Sequence, residues 1–165
     1  PRTFLEIGSG SGFLSKYVLS KCRDAGSPVA EARLMDINPD ALLSGMEALA
    51  PVQGDTLVSY SLNRAGRRIP ESGPYDLVVC SNALLYADDA ELGAALRSMA
   101  ARTRAVAFLE LYTADDDLDG DRPDGLRDAA YYRKALRRSG FRSVGSHCYL
   151  GPAAHHLAAE LEAAP

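Results

Sequence analysis

Positive charge is in short supply here: 18 lysines and arginines stand against 22 aspartates and glutamates, a net charge of −4 over 165 residues. Nucleic-acid binding through phosphates needs clustered cations to displace counterions, so that class is disfavoured. Cysteine is scarce too. Cys22, Cys80 and Cys148 are widely spaced and odd in number. They form neither a CxxC pair nor a zinc-ligand spacing with the three histidines. They read as reduced thiols of a cytoplasmic protein. No apolar run approaches the roughly 18 to 20 residues of a membrane span, and no signal segment opens the chain. Repeats and low-complexity linkers are absent, so one domain over residues 1–165 is expected. The chain begins at Pro1, almost on its first strand. An excised domain lacking its N-terminal cap is the expectation from that start, with part of a substrate site supplied from upstream.

What is present is an alternation of short apolar runs with longer amphipathic ones, the pattern of βαβ units around a mostly parallel sheet. "TFLEI" (3–7) is the first strand. "GFLSKYVLSKCRDAG" follows as a helix with Phe13, Leu14, Tyr17, Val18 and Cys22 on its inner face, closed by Gly26. "VAEARLMDI" is the second strand. Asn38 caps a helix with Pro39 in its first turn, and Leu42, Leu43, Met46 and Leu49 line it until Pro51 is expected to stop it. The third strand is placed at Leu57–Leu62 in preference to "VQGD", with Asn63 at its carboxyl end. "YDLVVC" reads as a strand buried on both faces. "AELGAALRSMAAR" is a helix, "AVAFLEL" a strand, "GLRDAAYYRKALRRSGF" a helix closed at Gly140, and "RSVGSHCYL" a sixth strand. The composition of the tail "AHHLAAELEA" favours a helix.

In an open α/β sheet, ligands sit beyond the carboxyl ends of the strands, where helix N-termini offer free backbone N–H groups. The first such end reads "EIGSGSG", from Glu6 to Gly12. Gly8, Gly10 and Gly12 permit a tight turn that a ligand can approach closely. A dinucleotide turn wants a small residue where Phe13 stands, and no Walker string GxxxxGK[ST] occurs, so both phosphate-binding readings weaken.

The stretch does resemble the first motif of the class I S-adenosylmethionine-dependent methyltransferases, an acidic residue followed by x-G-x-G-x-G, and the resemblance continues along most of the chain. It implies a doubly wound, mostly parallel Rossmann-like sheet of six to seven strands in the order 3-2-1-4-5-7-6, with an edge strand from the tail. It implies S-adenosylmethionine as cofactor and S-adenosylhomocysteine as product. Glu6, Gly8, Ser9, Gly10 and Gly12 then form the cofactor cradle, and Asp36 in "LMDIN" takes the place of the acid that holds both ribose hydroxyls. Ile37 falls where the family packs a residue on the adenine. Asn63, with Asp55 as competitor, maps to the contact with the adenine amino group. "YDLVVCSNALLY" looks like the fourth-strand region, which puts Ser81 and Asn82 beside the sulfonium. The chemistry agrees: a carboxylate can accept from two vicinal hydroxyls, and an acidic glycine turn suits a ligand carrying a sulfonium and an ammonium but no phosphate.

Methyl transfer is an in-line displacement, so positioning in a dry site does most of the work. Where the acceptor starts protonated a base helps. Tyr86, Glu110, Tyr112 and His147 are the candidates, with Tyr86 the one taken as catalytic. The alternative for Tyr86 is core or helix-entry packing, and for His147 a satisfied strand residue. "CSNALLY" departs from the NPPY and DPPY motifs of amino-directed nucleic-acid and glutamine methyltransferases, which disfavours those substrates. No aspartate set resembles a catechol-type magnesium site, so no metal is implied. Asp115, Asp117, Asp119 and Gly120 follow the first EF-hand spacings, but Leu126 stands where a bidentate glutamate belongs. The acidic loop 113–124 reads as a solvated connection or as a lid. The basic helix face of Arg133, Lys134, Arg137, Arg138 and Arg142 reads as solvated or as a dock for an acidic partner. The expected function is methyl transfer to an O, N or C nucleophile of a small molecule or natural-product intermediate, with no membrane association and with a neighbouring domain or partner chain as a candidate to complete the site. The competing readings are a non-catalytic methyltransferase-like domain and a nicotinamide oxidoreductase.

Overall fold

The computed structural model describes residues 1–62, 73–117 and 126–162, with side chains as far as residue 160. Its strands are β1 (Thr3–Ile7), β2 (Glu31–Asp36), β3 (Leu57–Leu62), β4 (Tyr75–Ser81), β5 (Thr103–Glu110), β6 (Arg142–Gly145) and β7 (Cys148–Leu150). They form one sheet in the order β3-β2-β1-β4-β5-β7-β6. Strands β1 to β5 pair in parallel, and β7 runs antiparallel to both β5 and β6. The expected strand order is therefore the observed one.

Helices α1 (Phe13–Asp24) and α2 (Pro39–Gln53) cover one face. There Leu19 and Leu49 join Phe4, Ala32, Leu34 and Val79 in a buried cluster. Helices α3 (Asp89–Arg102) and α4 (Ala129–Arg138) cover the other face. Their Leu92, Leu96, Met99, Tyr132 and Leu136 pack on Leu5, Ile7, Val78, Cys80 and Leu109. A strand buried on both sides favours apolar side chains, and that explains the near-continuous apolar reading of β4. The α3 start is fixed by a reciprocal capping box between Asp88 and Glu91.

Several local expectations are corrected. Phe13 and Tyr17 do not face inward: they are 74% and 57% exposed, while Ser15 and Leu19 are buried with Leu14, Val18 and Cys22 beside them. The helix is rotated so that Ser15 meets Glu6. On α2, Leu43 and Met46 are likewise exposed, and Gly45 joins Leu42 and Leu49 on the inner face. Pro51 does not stop α2, which runs to Gln53. Proline in the last turn forfeits one backbone bond, to the carbonyl of exposed Glu47, and water can satisfy that carbonyl.

"RSVGSHCYL" is not one strand. Gly145, Ser146 and His147 all have positive φ, of 91°, 49° and 60°, and turn the chain back as the β6–β7 hairpin. That hairpin supplies the seventh strand, so the tail is not an edge strand. It forms a 3-10 segment from Pro152 to Leu157 and then α5 (Ala158–Glu162), as its alanine-rich composition favours. Ala154 and Ala158 pack there on Leu150. No helix among the described residues is long and apolar enough to cross a membrane.

Candidate functional site

The carboxyl ends of β1, β2, β4 and β5 converge on one edge of the sheet. At the first, Gly8 and Ser9 donate their N–H groups to the Met35 carbonyl at 2.7 and 3.0 Å, which binds the glycine turn to the end of β2. Gly8 has a φ of +73°, and a Cβ there would collide with the Cβ of Ala83 in the loop after β4. Glycine is thus required at this position twice over, by backbone angle and by contact. A Cβ at Gly12 would meet the Leu49 side chain at 2.7 Å and the Gly45 backbone at 3.1 Å. Gly45, which sequence reasoning passed over as a helix interior, is what lets α2 approach the turn. Gly10 is different: no other described residue comes within 4 Å of where its Cβ would stand.

Asp36 ends β2 with its carboxylate held by two backbone donors. The Gly10 N–H gives 2.8 Å to one oxygen and the Asn38 N–H 2.9 Å to the other. Neighbouring Ile37 is 61% exposed at the same edge. Glu6 is 2% exposed and accepts from the Ser15 hydroxyl. Burial pushes its carboxyl up to about 7, opposed by the Ser15 hydrogen bonds and reinforced by the charge of Asp36. Ser9 is also buried, and its hydroxyl has no partner among the described residues.

The far wall comes from β4 and β5. Ser81 donates to the Glu110 carboxylate at 2.6 Å, and the Asn82 N–H donates to the Glu110 carbonyl at 2.9 Å. Asn82 adopts φ 58°, and its side-chain oxygen is buried without a partner among the described residues. Tyr86 ends the 3-10 turn Leu84–Tyr86 and is 57% exposed, so core packing is not its role. Arg127 fastens the segment before α4 to this loop, donating to Asp89 and to the Ala87 carbonyl, each at 2.8 Å. The structure thus brings Glu6, Gly8, Ser9, Gly10, Gly12, Asp36, Ile37, Ser81, Asn82 and Tyr86 to one edge of the sheet. Asn63 lies outside the described residues. Asp55 is exposed between α2 and β3, before that strand begins and away from its carboxyl end. His147 sits in the β6–β7 turn, against the ring of Phe108. Among the described residues no group of His, Cys, Asp and Glu could hold a metal ion, and Asp119 and Gly120 of the acidic loop fall outside them.

The donor set has a definite chemical character. It offers two carboxylates, an open glycine backbone, and two buried polar atoms awaiting partners, Ser9 Oγ and Asn82 Oδ1. Among the described residues no guanidinium or ammonium is bonded to Glu6 or Asp36. Such a set fits a ligand with hydroxyls and positive charge, and fits a phosphate poorly.

Comparison with known proteins agrees with that character. Residues 5–109 match the family described as "Methyltransferase domain", and the chain belongs to the class I S-adenosylmethionine-dependent methyltransferases. S-adenosylmethionine is that family's cofactor. No curated protein matches the chain by sequence. Among solved structures it is similar to an S-adenosylmethionine-dependent methyltransferase from Clostridium acetobutylicum ATCC 824, at 12% identity and TM-score 0.67, covering 90% of this chain and 82% of that one. It is similar to magnesium protoporphyrin IX methyltransferase from Synechocystis PCC 6803 with bound cofactor, at 17% identity and TM-score 0.61, covering 89% and 66%. A third similar chain comes from a complex between the Haloferax volcanii Trm112 methyltransferase activator and a methyltransferase, at 19% identity and TM-score 0.63, covering 87% of this chain and 62% of that one. At these identities the likeness is one of fold.

Proposed function

We propose that the protein binds S-adenosylmethionine along the carboxyl edge of β1, β2 and β4 and transfers its methyl group to an O, N or C nucleophile of a small molecule, leaving S-adenosylhomocysteine. The observation that carries this reading is the Asp36 carboxylate, oriented by the Gly10 and Asn38 N–H groups beside a glycine with open space above it. Held this way, Asp36 keeps lone pairs for two vicinal hydroxyls of a ribose.

The remaining assignments follow the edge. Glu6, Gly8, Ser9, Gly10 and Gly12 form the cradle for the methionine portion, Ile37 packs on the adenine, and Asn63 bonds its amino group. Ser81 and Asn82 line the reacting end, and Glu110 fixes both. The cofactor supplies an electrophilic methyl on a positively charged sulfur. The chain's contribution is to orient the acceptor in line with that methyl and to keep water out. The Tyr86 hydroxyl, exposed just past β4, is placed to hold or relay the proton that a protonated acceptor gives up.

The reading of a small molecule or natural-product intermediate as acceptor draws support from the kinds of protein that share the fold. One is a magnesium protoporphyrin IX methyltransferase, and another, at TM-score 0.68 and 15% identity, is the CMeT domain of the citrinin polyketide synthase, of which this chain covers 47%. A neighbouring domain or partner chain that completes the acceptor site, in the cytoplasm, belongs to the same proposal. The test is formation of S-adenosylhomocysteine in the presence of a panel of phenols, amines and carbon acids, using the longest natural form of the chain. Turnover with at least one acceptor, lowered at least tenfold by Tyr86→Phe when that acceptor starts protonated, is the expected result. Cofactor binding without turnover on any acceptor would instead favour a non-catalytic methyltransferase-like domain.

A further inference from the structure

A second concavity lies between α4 and the strands β5, β7 and β6, with a volume of about 340 Å³. That is the low end of the range for small-molecule sites. Its apolar lining includes Leu109, Leu111, Leu136, Phe141 and Tyr149. Leu109, Leu136 and Phe141 are nearly fully buried, so its floor is the protein's own core. Arg133 and Arg137 also line it, from one side of α4. They are four residues apart on the helix and therefore lie one turn above the other. Both are exposed, and neither makes an ion pair with any described residue. Thr113 and His147 lie where the cleft meets the carboxyl edge of the sheet.

We propose that this cleft is a binding site for an apolar molecule carrying a single carboxylate or phosphate. The apolar body lies against Leu109, Leu136, Phe141 and Tyr149, and the anionic head is held by Arg133 and Arg137. Burying the apolar body against this lining favours the bound state. A paired guanidinium contact orients the head and excludes cationic relatives, because planar donor forks match a carboxylate or phosphate. Leu111 and Thr113 of its lining follow Glu110 by one and three residues, so its occupant lies beside the proposed methyl-transfer edge. That link to the acceptor rests on the proposed function; the site itself does not.

The experiment titrates decanoate, decyl phosphate, decanol and decylamine against the protein by calorimetry, below their micelle concentrations, with and without S-adenosylhomocysteine. Localisation follows from amide shifts in residues 129–149. The expected result is that decanoate or decyl phosphate binds and shifts Phe141 to Tyr149, with at least tenfold preference over decylamine. The stronger of the two heads identifies carboxylate or phosphate as the natural group. Arg133→Gln with Arg137→Gln should weaken that binding at least tenfold while thermal stability and S-adenosylhomocysteine affinity stay unchanged. A Ser143→Trp variant, which fills the cleft from its exposed edge, should abolish it. Equal affinity for decanoate and decylamine, unchanged affinity in the double variant, or shifts confined to other residues would overturn the site. If anion binding persists where S-adenosylhomocysteine does not bind, the cleft stands and the cofactor reading alone falls.

Discussion

The Ser15 hydroxyl donates to the buried Glu6 carboxylate, and this one bond ties the rotation of α1 to the end of β1. A carboxyl at that depth needs a donor, and the helix turns Phe13 and Tyr17 outward to provide it.

A pH dependence follows from the same pair. Glu6 has its carboxyl raised from 4.5 to about 7 in the folded state. A raised folded value means that this group's stabilising contribution is fully present below about pH 4.5 and is lost as the pH rises through about 7. The loss amounts to about 3 kcal/mol. Denaturant unfolding of the ligand-free protein at pH 5 and pH 8 should show it, and Glu6→Gln should flatten it. Identical pH profiles for the two proteins would contradict the account.

Removing the donor alone has a different outcome. Ser15→Ala leaves a buried carboxyl without its partner and should cost roughly 1–3 kcal/mol at neutral pH. The second change, Ser15→Ala in the Glu6→Gln background, should cost less, because no carboxylate is then stranded. Additive losses in that cycle would show that the two residues do not act together.

Gly8 and Ala83 set a steric limit. Gly8→Ala places a methyl on a backbone with φ +73° and drives it into the Ala83 side chain. A loss of roughly 1–3 kcal/mol is expected, read as a lowered Tm. Ala83→Gly in the same chain should restore the part due to collision and leave the part due to backbone strain. A Gly8→Ala protein as stable as the wild type would mean that the turn packs differently.

Asn82 offers a contrast between shape and chemistry. Its φ of 58° suits glycine or asparagine and penalises branching at Cβ. Asn82→Gly should therefore change stability by no more than about 0.5 kcal/mol, and Asn82→Val should cost roughly 1–3 kcal/mol. If both are equally tolerated, the left-handed turn after β4 is not imposed by the fold.

Much of this was legible in the residues. The alternation of apolar runs reports the layers directly, and Asp36 and the three glycines sit where strand ends demand polar or permissive residues. The misreadings share a cause: local pattern cannot see a tertiary partner. Phe13 and Tyr17 look like the better inner face of α1 until the buried Glu6 claims Ser15. Gly45 drew no attention in the sequence, and its place shows only when Gly12 needs the space. The β6–β7 turn was signalled by Gly145-Ser146, but the β-forming residues on either side masked it. The tail shows the reverse case, where composition pointed to helix and the expectation of an edge strand was drawn from resemblance. Glu110, one of several polar candidates in the sequence, gains its place only when β5 pairs with β4 and brings it to Ser81.

The most direct measurement is a calorimetric titration of S-adenosylhomocysteine, with NAD as comparator, against the wild-type chain and Asp36→Ala, both checked for folding by circular dichroism. The account predicts that the wild type binds S-adenosylhomocysteine and not NAD, and that Asp36→Ala weakens binding at least tenfold, roughly 1.4 kcal/mol. A folded wild-type chain that ignores S-adenosylhomocysteine, or an Asp36→Ala variant that binds it equally well, would contradict the assignment of this edge as the cofactor site.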